Sequence, residues 1–196
     1  MNILWEDAVK FHGHACPGLA MGVRAGQIAL KRLGVTRDCD EELIAISEID
    51  ACSVDGIQVT TGCTLGKGNL FVKDYGKQVF IVGKRNTCKA VKVYFKPLEF
   101  SEGHKELRDK ISRGVASDEH KRQFEELRKE IINRILTGPE IDVTIVTEPD
   151  IRFPERASIF NSVKCEQCGE MFMEPRGRLQ DGKIVCLDCY EGYERS

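Results

Sequence analysis

Two pairs of cysteines near the end of the chain constrain its fold more than any other feature. Cys165 and Cys168 form the first pair, Cys186 and Cys189 form the second, and seventeen residues separate the pairs. This spacing allows four thiolates to surround one ion tetrahedrally, and zinc accepts sulfur ligands in that geometry. A segment of about 30 residues buries too little apolar surface to fold without such a cross-link. The pattern therefore predicts a structural zinc ion held by these four cysteines.

The residues around these cysteines predict a small finger. Gly169 follows the first pair, as in a zinc knuckle, and Gln180-Asp181-Gly182 predicts the turn of a hairpin. Residues 186–190 predict a short terminal helix, and a knuckle followed by a helix indicates a treble-clef finger. Acidic residues outnumber basic residues in this segment, which argues against nucleic-acid binding and favours a contact with protein.

The rest of the chain predicts a larger domain. Pro149 and Pro154 indicate a linker, so we assign residues 1–150 to a core domain, 151–162 to a linker and 163–196 to the finger. The formal net charge of −2 argues against a nucleic-acid partner for the whole chain. The sequence shows no membrane span and no secretory signal. We therefore expect a cytoplasmic protein whose cysteines are reduced.

Hydrophobic periodicity predicts both helices and strands in the core domain. Pro17 suits the first position of a long helix, and Gly34 marks its end. The glycine-rich residues 62–68 differ from a Walker A loop, since the spacing is one residue short and Gly68 replaces the hydroxyl residue. We interpret these glycines as a tight turn, and a backbone nest that binds an anion is the alternative. Helices are expected over 5–11, 17–33, 53–61, 99–113 and 117–136, and strands over 43–49, 69–72, 79–84, 90–95 and 142–146.

Residues with metal-binding or nucleophilic side chains concentrate where these helices and strands meet. Cys16 and Cys52 each directly precede a predicted helix, and the amides and dipole of a helix N-terminus favour a thiolate. Cys63 lies in the glycine-rich loop, and Asp50 and Asp55 flank Cys52. Imidazole and thiolate together suit zinc, nickel or iron. The candidate ligands of a second metal ion are His12, His14, Cys16, Cys52 and Cys63.

The same residues allow two other interpretations. In the first, Cys16 or Cys63 is a catalytic nucleophile, and Lys67 is the cationic partner of its thiolate or of an anionic substrate. In the second, the cysteines only pack in the core, as buried cysteines commonly do. The sequence leaves the choice among these interpretations open.

Three segments of the chain, in this order, resemble the FmdE family, whose members are named after formylmethanofuran dehydrogenase. They are residues 11–22 (FHGHACPGLAMG), 50–58 (DACSVDGIQ) and 61–70 (TGCTLGKGNL), within a resemblance that spans roughly residues 5–140. The resemblance implies an α+β core of helices and antiparallel sheet, a treble-clef zinc finger and a homodimer. The family's motif positions in this sequence are His12, His14, Cys16, Cys52, Cys63 and Lys67.

The resemblance also implies a partner. This partner is the molybdenum- or tungsten-dependent formylmethanofuran dehydrogenase, which fixes carbon dioxide as a formyl group in methanogens. We therefore favour a metal-binding protein that is accessory to this one-carbon enzyme. One alternative is an enzyme in its own right, which acts on a small molecule through a metal or a thiol. Another is a zinc-finger adaptor or regulator.

Overall fold

The computed structural model describes residues 3–99, 101–156 and 158–192, and the chain divides into two compact units, Met1–Arg156 and Ala157–Ser196. The helices of the first unit are α1 (Ile3–His12), α2 (Pro17–Leu33), α3 (Ser53–Thr61), α4 (Glu102–Ser112), α5 (Asp118–Thr137) and the short α6 (Glu140–Val143). Its strands are β1 (Leu43–Ser47), β2 (Leu70–Val72), β3 (Val79–Lys84), β4 (Ala90–Phe95) and β5 (Thr144–Thr147).

The first unit has the predicted α+β architecture. Its strands form one sheet in the order β2-β1-β3-β4-β5. Strands β1 and β2 are parallel and are connected through α3, whereas the pairs β1–β3, β3–β4 and β4–β5 are antiparallel. The sheet is therefore mainly antiparallel with one parallel edge pair. The predicted strand over 142–146 begins only at Thr144, because the preceding residues form α6.

Alternate side chains of the sheet enter two apolar clusters, as the period of a strand requires. Phe80 and Val82 of β3 pack with α2, α3 and α5 on one face, whereas Val79 and Ile81 point to the other face. Phe153 packs on that second face, against Gly83, where an added Cβ would lie 2.2 Å from the phenyl ring. The first unit consequently continues beyond residue 150 to Arg156.

Helices α2 and α3 approach each other more closely than side chains permit. A Cβ at Gly22 would lie 2.0 Å from the carbonyl oxygen of Ser53, and a Cβ at Gly56 would lie 2.5 Å from that of Leu19. Since both distances are far shorter than van der Waals contact, neither position accepts a side chain without movement of the backbone. The helices therefore pack backbone against backbone.

The contacts of the α2 glycines also show the direction of the two helices. Gly18, Gly22 and Gly26 follow each other at intervals of four residues along one side of α2. They face Cys52, then Ser53 and Gly56, then Thr60, in the order of the chain. The two helices thus run parallel, and their N-termini lie side by side.

The second unit consists of two short hairpins. Strand β6 (Ser162–Lys164) pairs with β7 (Met171–Met173), and β8 (Arg178–Gln180) pairs with β9 (Lys183–Val185), all antiparallel. Asp181 and Gly182, with φ of 51° and 77°, form the predicted turn between β8 and β9.

The predicted terminal helix over 186–190 is wrong. These residues form a turn, closed by a hydrogen bond from the Cys189 amide to the Cys186 carbonyl, and no helix follows among the described residues up to 192. The helical element of a treble clef is therefore missing from this part of the chain. A tight turn suffices here because Cys189 has to point back towards the same centre as Cys186.

Across the described ranges of the chain, no helix is both long and apolar enough to cross a membrane.

Substitution of Gly22 by alanine should destabilise the first unit by about 1–3 kcal/mol or more, because the added methyl group overlaps backbone atoms of α3. The measurement is the free energy of unfolding from urea titrations monitored by circular dichroism. Gly103→Ala is the matched control, since Gly103 lies in α4 and an added Cβ meets nothing within 4 Å. An unchanged unfolding midpoint for Gly22→Ala would show that α2 and α3 are not packed this closely.

Candidate metal centres

Two groups of side chains in the described ranges bring four possible metal ligands together. Within each group, one ligand atom from every residue lies within 4.8 Å of all the others. The first unit contributes His12, His14, Cys16 and Cys52, which we call the core group. The second unit contributes Cys165, Cys168, Cys186 and Cys189, which we call the finger group.

The parallel packing of α2 and α3 positions both thiols of the core group. Cys16 is the N-cap residue of α2, and Cys52 is the N-cap residue of α3. Because the two N-termini are adjacent, the two cysteines are neighbours although 35 residues lie between them in the chain. Gly18 lies between them, and a Cβ there would be 3.2 Å from Cys52 Cβ and 4.0 Å from Cys16 Sγ.

The two histidines reach the thiols from the end of α1. His12 is the last residue of that helix, and Gly13 turns the chain with a φ of 91°. His12 Nε2 lies 3.8 Å from Cys16 Sγ, and the rings of His12 and His14 are 4.4 Å apart between centroids. A tetrahedral zinc ion with ordinary bond lengths places a nitrogen and a sulfur ligand about 3.6 Å apart. The observed spacing therefore fits a shared ion.

Asp55 orients His12 for this role. The His12 Nδ1–Asp55 Oδ2 distance is 2.7 Å, and Asp55 Oδ1 accepts a hydrogen bond of 3.2 Å from Gln58 Nε2. A carboxylate on Nδ1 holds its proton there and leaves Nε2, which faces Cys16, free to ligate a metal. The sequence places Asp55 in the same cluster as the candidate ligands but does not assign it a role. Its position on α3, one helical turn after Cys52, was the sequence feature that could have indicated a role at this site.

The environment of the two core thiols differs. Cys16 Sγ accepts a hydrogen bond of 3.3 Å from the Leu19 amide, which is the usual contact of an N-cap side chain. Burial, followed by the proximity of Cys16, raises the pKa of Cys52. A cation between the two sulfurs would oppose this increase, because it stabilises thiolate over thiol.

Cys63 does not belong to the core group, although the sequence made it a candidate ligand. It follows Gly62, the C-cap residue of α3, whereas Cys52 is the N-cap residue of that helix. A nine-residue helix is about 13 Å long, so the two thiols cannot bind one ion. Cys63 is completely buried, and burial raises its pKa to about 11. A buried, protonated thiol is a poor nucleophile.

Lys67 also lies apart from the core group. Its Nζ donates a 2.6 Å hydrogen bond to the Asp40 carbonyl and is 3.7 Å from Asp38 Oδ2. Its charge acts to lower the pKa of Cys63, but burial of that thiol has the larger effect. The cationic partner that the sequence predicted for a reactive thiolate is thus an ion-pair partner of the largely buried Asp38.

The glycine-rich loop beside Lys67 is held by a buried amide. Asn69 is fully buried, and its Oδ1 accepts a hydrogen bond from the Thr64 amide at 2.9 Å. Its Nδ2 donates to the Leu43 carbonyl and to Asp38 Oδ2 at 3.1 and 3.2 Å. These contacts fix the loop to the start of β1, which supports the interpretation of its glycines as turn residues.

The finger group has the geometry of a four-sulfur zinc site. Cys168 Sγ and Cys186 Sγ are 4.0 Å apart, close to the separation of about 3.8 Å in tetrahedral zinc–thiolate sites. Cys165 Sγ accepts hydrogen bonds from the amides of Cys168 and Cys186 at 3.5 and 3.4 Å. Burial acts to raise the pKa of Cys165, but these donors and the Gln167 amide lower it to about 6. The backbone donors therefore favour a thiolate at Cys165, whereas the contact with Cys186 raises the pKa of Cys189.

Two family models match the chain, one in each unit. The model described as FmdE, molybdenum formylmethanofuran dehydrogenase operon, matches residues 11–145. The model of the prokaryotic DksA/TraR C4-type zinc finger matches residues 158–195. The second match covers all four cysteines of the finger group, and their geometry and chemistry agree with it. The second unit is thus a C4 zinc-finger domain.

A curated relative and a solved structure are also similar to the chain. A probable S-adenosyl-L-methionine-binding protein of Archaeoglobus fulgidus is 38% identical over 195 residues, 95% of this chain. The chain spans about half (52%) of the length of that relative. The crystal structure of a tungsten formylmethanofuran dehydrogenase FmdE-like protein from Syntrophus aciditrophicus is similar with a TM-score of 0.64 and 26% identity, over 94% of this chain and 88% of that chain.

Cys63 should resist alkylation at neutral pH, because a thiol with a pKa of about 11 is almost wholly protonated there and is closed to solvent. Exposed Cys39 and Cys88 are the internal standards. We expect iodoacetamide to label both of them at least ten times faster than Cys63 at pH 7.5, as measured by peptide mass spectrometry. Comparable rates in the folded protein would contradict the burial of Cys63.

Proposed function

Because this chain belongs to the FmdE family, we propose that it is a metal-binding protein that holds one transition-metal ion in each unit and is accessory to a one-carbon enzyme. The ion of the first unit is bound by the core group. The ion of the second unit is the structural zinc of the finger. The observation that carries the proposal is the convergence of His12, His14, Cys16 and Cys52 within 4.8 Å.

The donor set of the core group favours zinc. Two imidazole nitrogens and two thiolates form a borderline-soft set, which suits zinc in tetrahedral geometry. The His12–Asp55 contact supplies the carboxylate–histidine arrangement that accompanies most metal-bound histidines. Two helix N-termini point at the site, and their partial positive charges stabilise the thiolates in addition to the metal. The ion would cross-link the ends of α1, α2 and α3.

The accessory role is supported by the family description and by the solved structure. The family description and the name of the solved structure both refer to formylmethanofuran dehydrogenase, a molybdenum enzyme in one case and a tungsten enzyme in the other. Each ligand group described in this chain has the size for a single ion. We propose that the chain holds or delivers a metal ion for such an enzyme, and that the enzyme itself fixes carbon dioxide as the formyl group.

The full-length protein should contain close to two metal ions per chain. Elemental analysis by mass spectrometry, after removal of loosely bound metal by gel filtration, is the measurement. His14→Ala should lose one ion while the finger keeps its zinc, because His14 is an exposed ligand whose removal leaves the fold intact. Cys168→Ser should lose the other ion. A wild-type content of one ion, unchanged in His14→Ala, would refute the core metal and favour a thiol site instead.

Asp55→Asn provides a control that keeps all four core ligands. Asparagine retains the size of the side chain but cannot hold the proton on Nδ1 as a carboxylate does. We expect the affinity of the core group for zinc to fall about 10–100-fold, with no change at the finger. Competition with a chromophoric chelator measures both sites in one titration.

The accessory role has a separate test. Formylmethanofuran dehydrogenase is produced with this chain, with its His14→Ala variant, or without either, and the metal content and dehydrogenase activity of the purified enzyme are compared. We expect the wild-type chain to raise both quantities and the variant to raise neither. Equal activity in all three preparations would exclude the accessory role and leave the metal site untouched.

A further inference from the structure

Cys16 and Cys52 are the two sulfur atoms of the core group, and the fold holds them as a facing pair. Their Sγ atoms lie within 4.8 Å of each other. Each sits at the first turn of its own helix, and the close packing of α2 and α3 fixes the distance between these turns. Gly18 leaves the space between them without a side chain. Both residues are partly exposed, so a small molecule in solvent can reach them.

From this geometry we propose that Cys16 and Cys52 are a redox-active dithiol whose substrates are low-molecular-weight disulfides, and that metal binding blocks this reaction. The proposal rests on the proposed function, because the same two sulfurs ligate the ion of the core group. A sulfur that ligates a metal is shielded from reaction, and a sulfur in a disulfide has lost its thiolate. The metal-bound and oxidised states of the core group therefore exclude each other.

The reaction is thiol–disulfide exchange in two steps. One cysteine thiolate attacks a sulfur of the small disulfide, forms a mixed disulfide and releases one small thiolate. The second cysteine then attacks the protein sulfur of that mixed disulfide, forms the Cys16–Cys52 bond and releases the second small thiolate. Two electrons pass from the cysteine pair to the small disulfide, and the two cysteine protons pass to the released thiolates or to the solvent.

Among the residues that the structure describes, none of the other cysteines combines solvent access, an adjacent thiol and a metal site with histidine ligands. Cys63 is completely buried. Cys39 and Cys88 are exposed, and neither lies in a described group of metal-ligating residues. The finger cysteines form a four-sulfur zinc site, in which all four thiolates are metal ligands and are not available for exchange. Within the described ranges, the core group alone combines two adjacent, accessible thiols with a metal site that shares them and includes histidine ligands.

The test uses full-length protein with its finger loaded with zinc. Wild-type protein with both sites occupied and the His12→Ala/His14→Ala variant, which keeps both thiols but lacks two core ligands, are incubated with oxidised glutathione. Peptide mass spectrometry follows the Cys16–Cys52 cross-link over time, and elemental analysis follows the metal. Glutathionylation of exposed Cys39 and Cys88 reports equal exposure to the oxidant in both samples.

We expect the cross-link to form at least ten times faster in the variant than in the metal-loaded wild type. Cross-linking of the wild type, where it occurs, should be accompanied by loss of one ion. Cys52→Ser should give no cross-link and instead a stable mixed disulfide between Cys16 and glutathione. The Cys52→Ser result shows whether the second step needs the partner thiol.

The results that would refute this inference differ from those that would refute the proposed function. If the wild type holds two ions but the variant forms only mixed disulfides, the dithiol inference is wrong and the metal site stands. If the wild type holds one ion and cross-links as fast as the variant, the core metal is wrong and the claim of metal protection falls with it, although the dithiol remains. If the wild type holds two ions and cross-links as fast as the variant, only the claim that metal binding blocks the reaction is refuted.

Discussion

The backbone contact between α2 and α3 is the constraint on which the rest of the first unit depends. It exists because Gly22 and Gly56 leave no side chain between the helices, so that carbonyl groups of one helix lie against the backbone of the other. This contact makes the helices parallel and brings their N-termini together. The site follows from it, since Cys16 and Cys52 occupy the two N-caps.

The same arrangement carries an electrostatic cost, which the metal ion of our proposal would remove. Two partly buried thiols at adjacent positions resist simultaneous ionisation, and the raised pKa of Cys52 expresses this, through its burial first and Cys16 second. Helix dipoles and the Leu19 amide provide partial positive charge, but a bound cation provides much more. When no ion is bound, protonation removes the charge of Cys52, and exchange with a small disulfide would join the two sulfurs covalently. On our two proposals, metal binding and oxidation therefore compete for the same pair of sulfurs.

The sequence predicted most helices and strands of the first unit, because they depend on local periodicity and on residues that begin or end a helix, such as Pro17 and Gly34. The predicted hairpin turn at Asp181 and Gly182 also formed, since that turn needs positive φ angles. One error of the sequence-based prediction was local, because residues 186–190 form a turn and not a helix. The other error concerns distance in space. Cys63 follows the end of α3 and Cys52 begins it, so the helix that the sequence itself predicted over 53–61 already separated these two thiols.

What the sequence determined by itself is the set of local elements, the finger with its four cysteines and the family of the core. Short-range spacing suffices for these, because two Cys-x2-Cys pairs can meet whatever surrounds them. The tertiary structure decided which distant residues share a site. It assigned Asp55 to His12 and Lys67 to Asp38, and it separated Cys63 from Cys16. Contacts of this kind depend on how helices pack, and packing depends on the shapes of surfaces far apart in the chain, which no local pattern encodes.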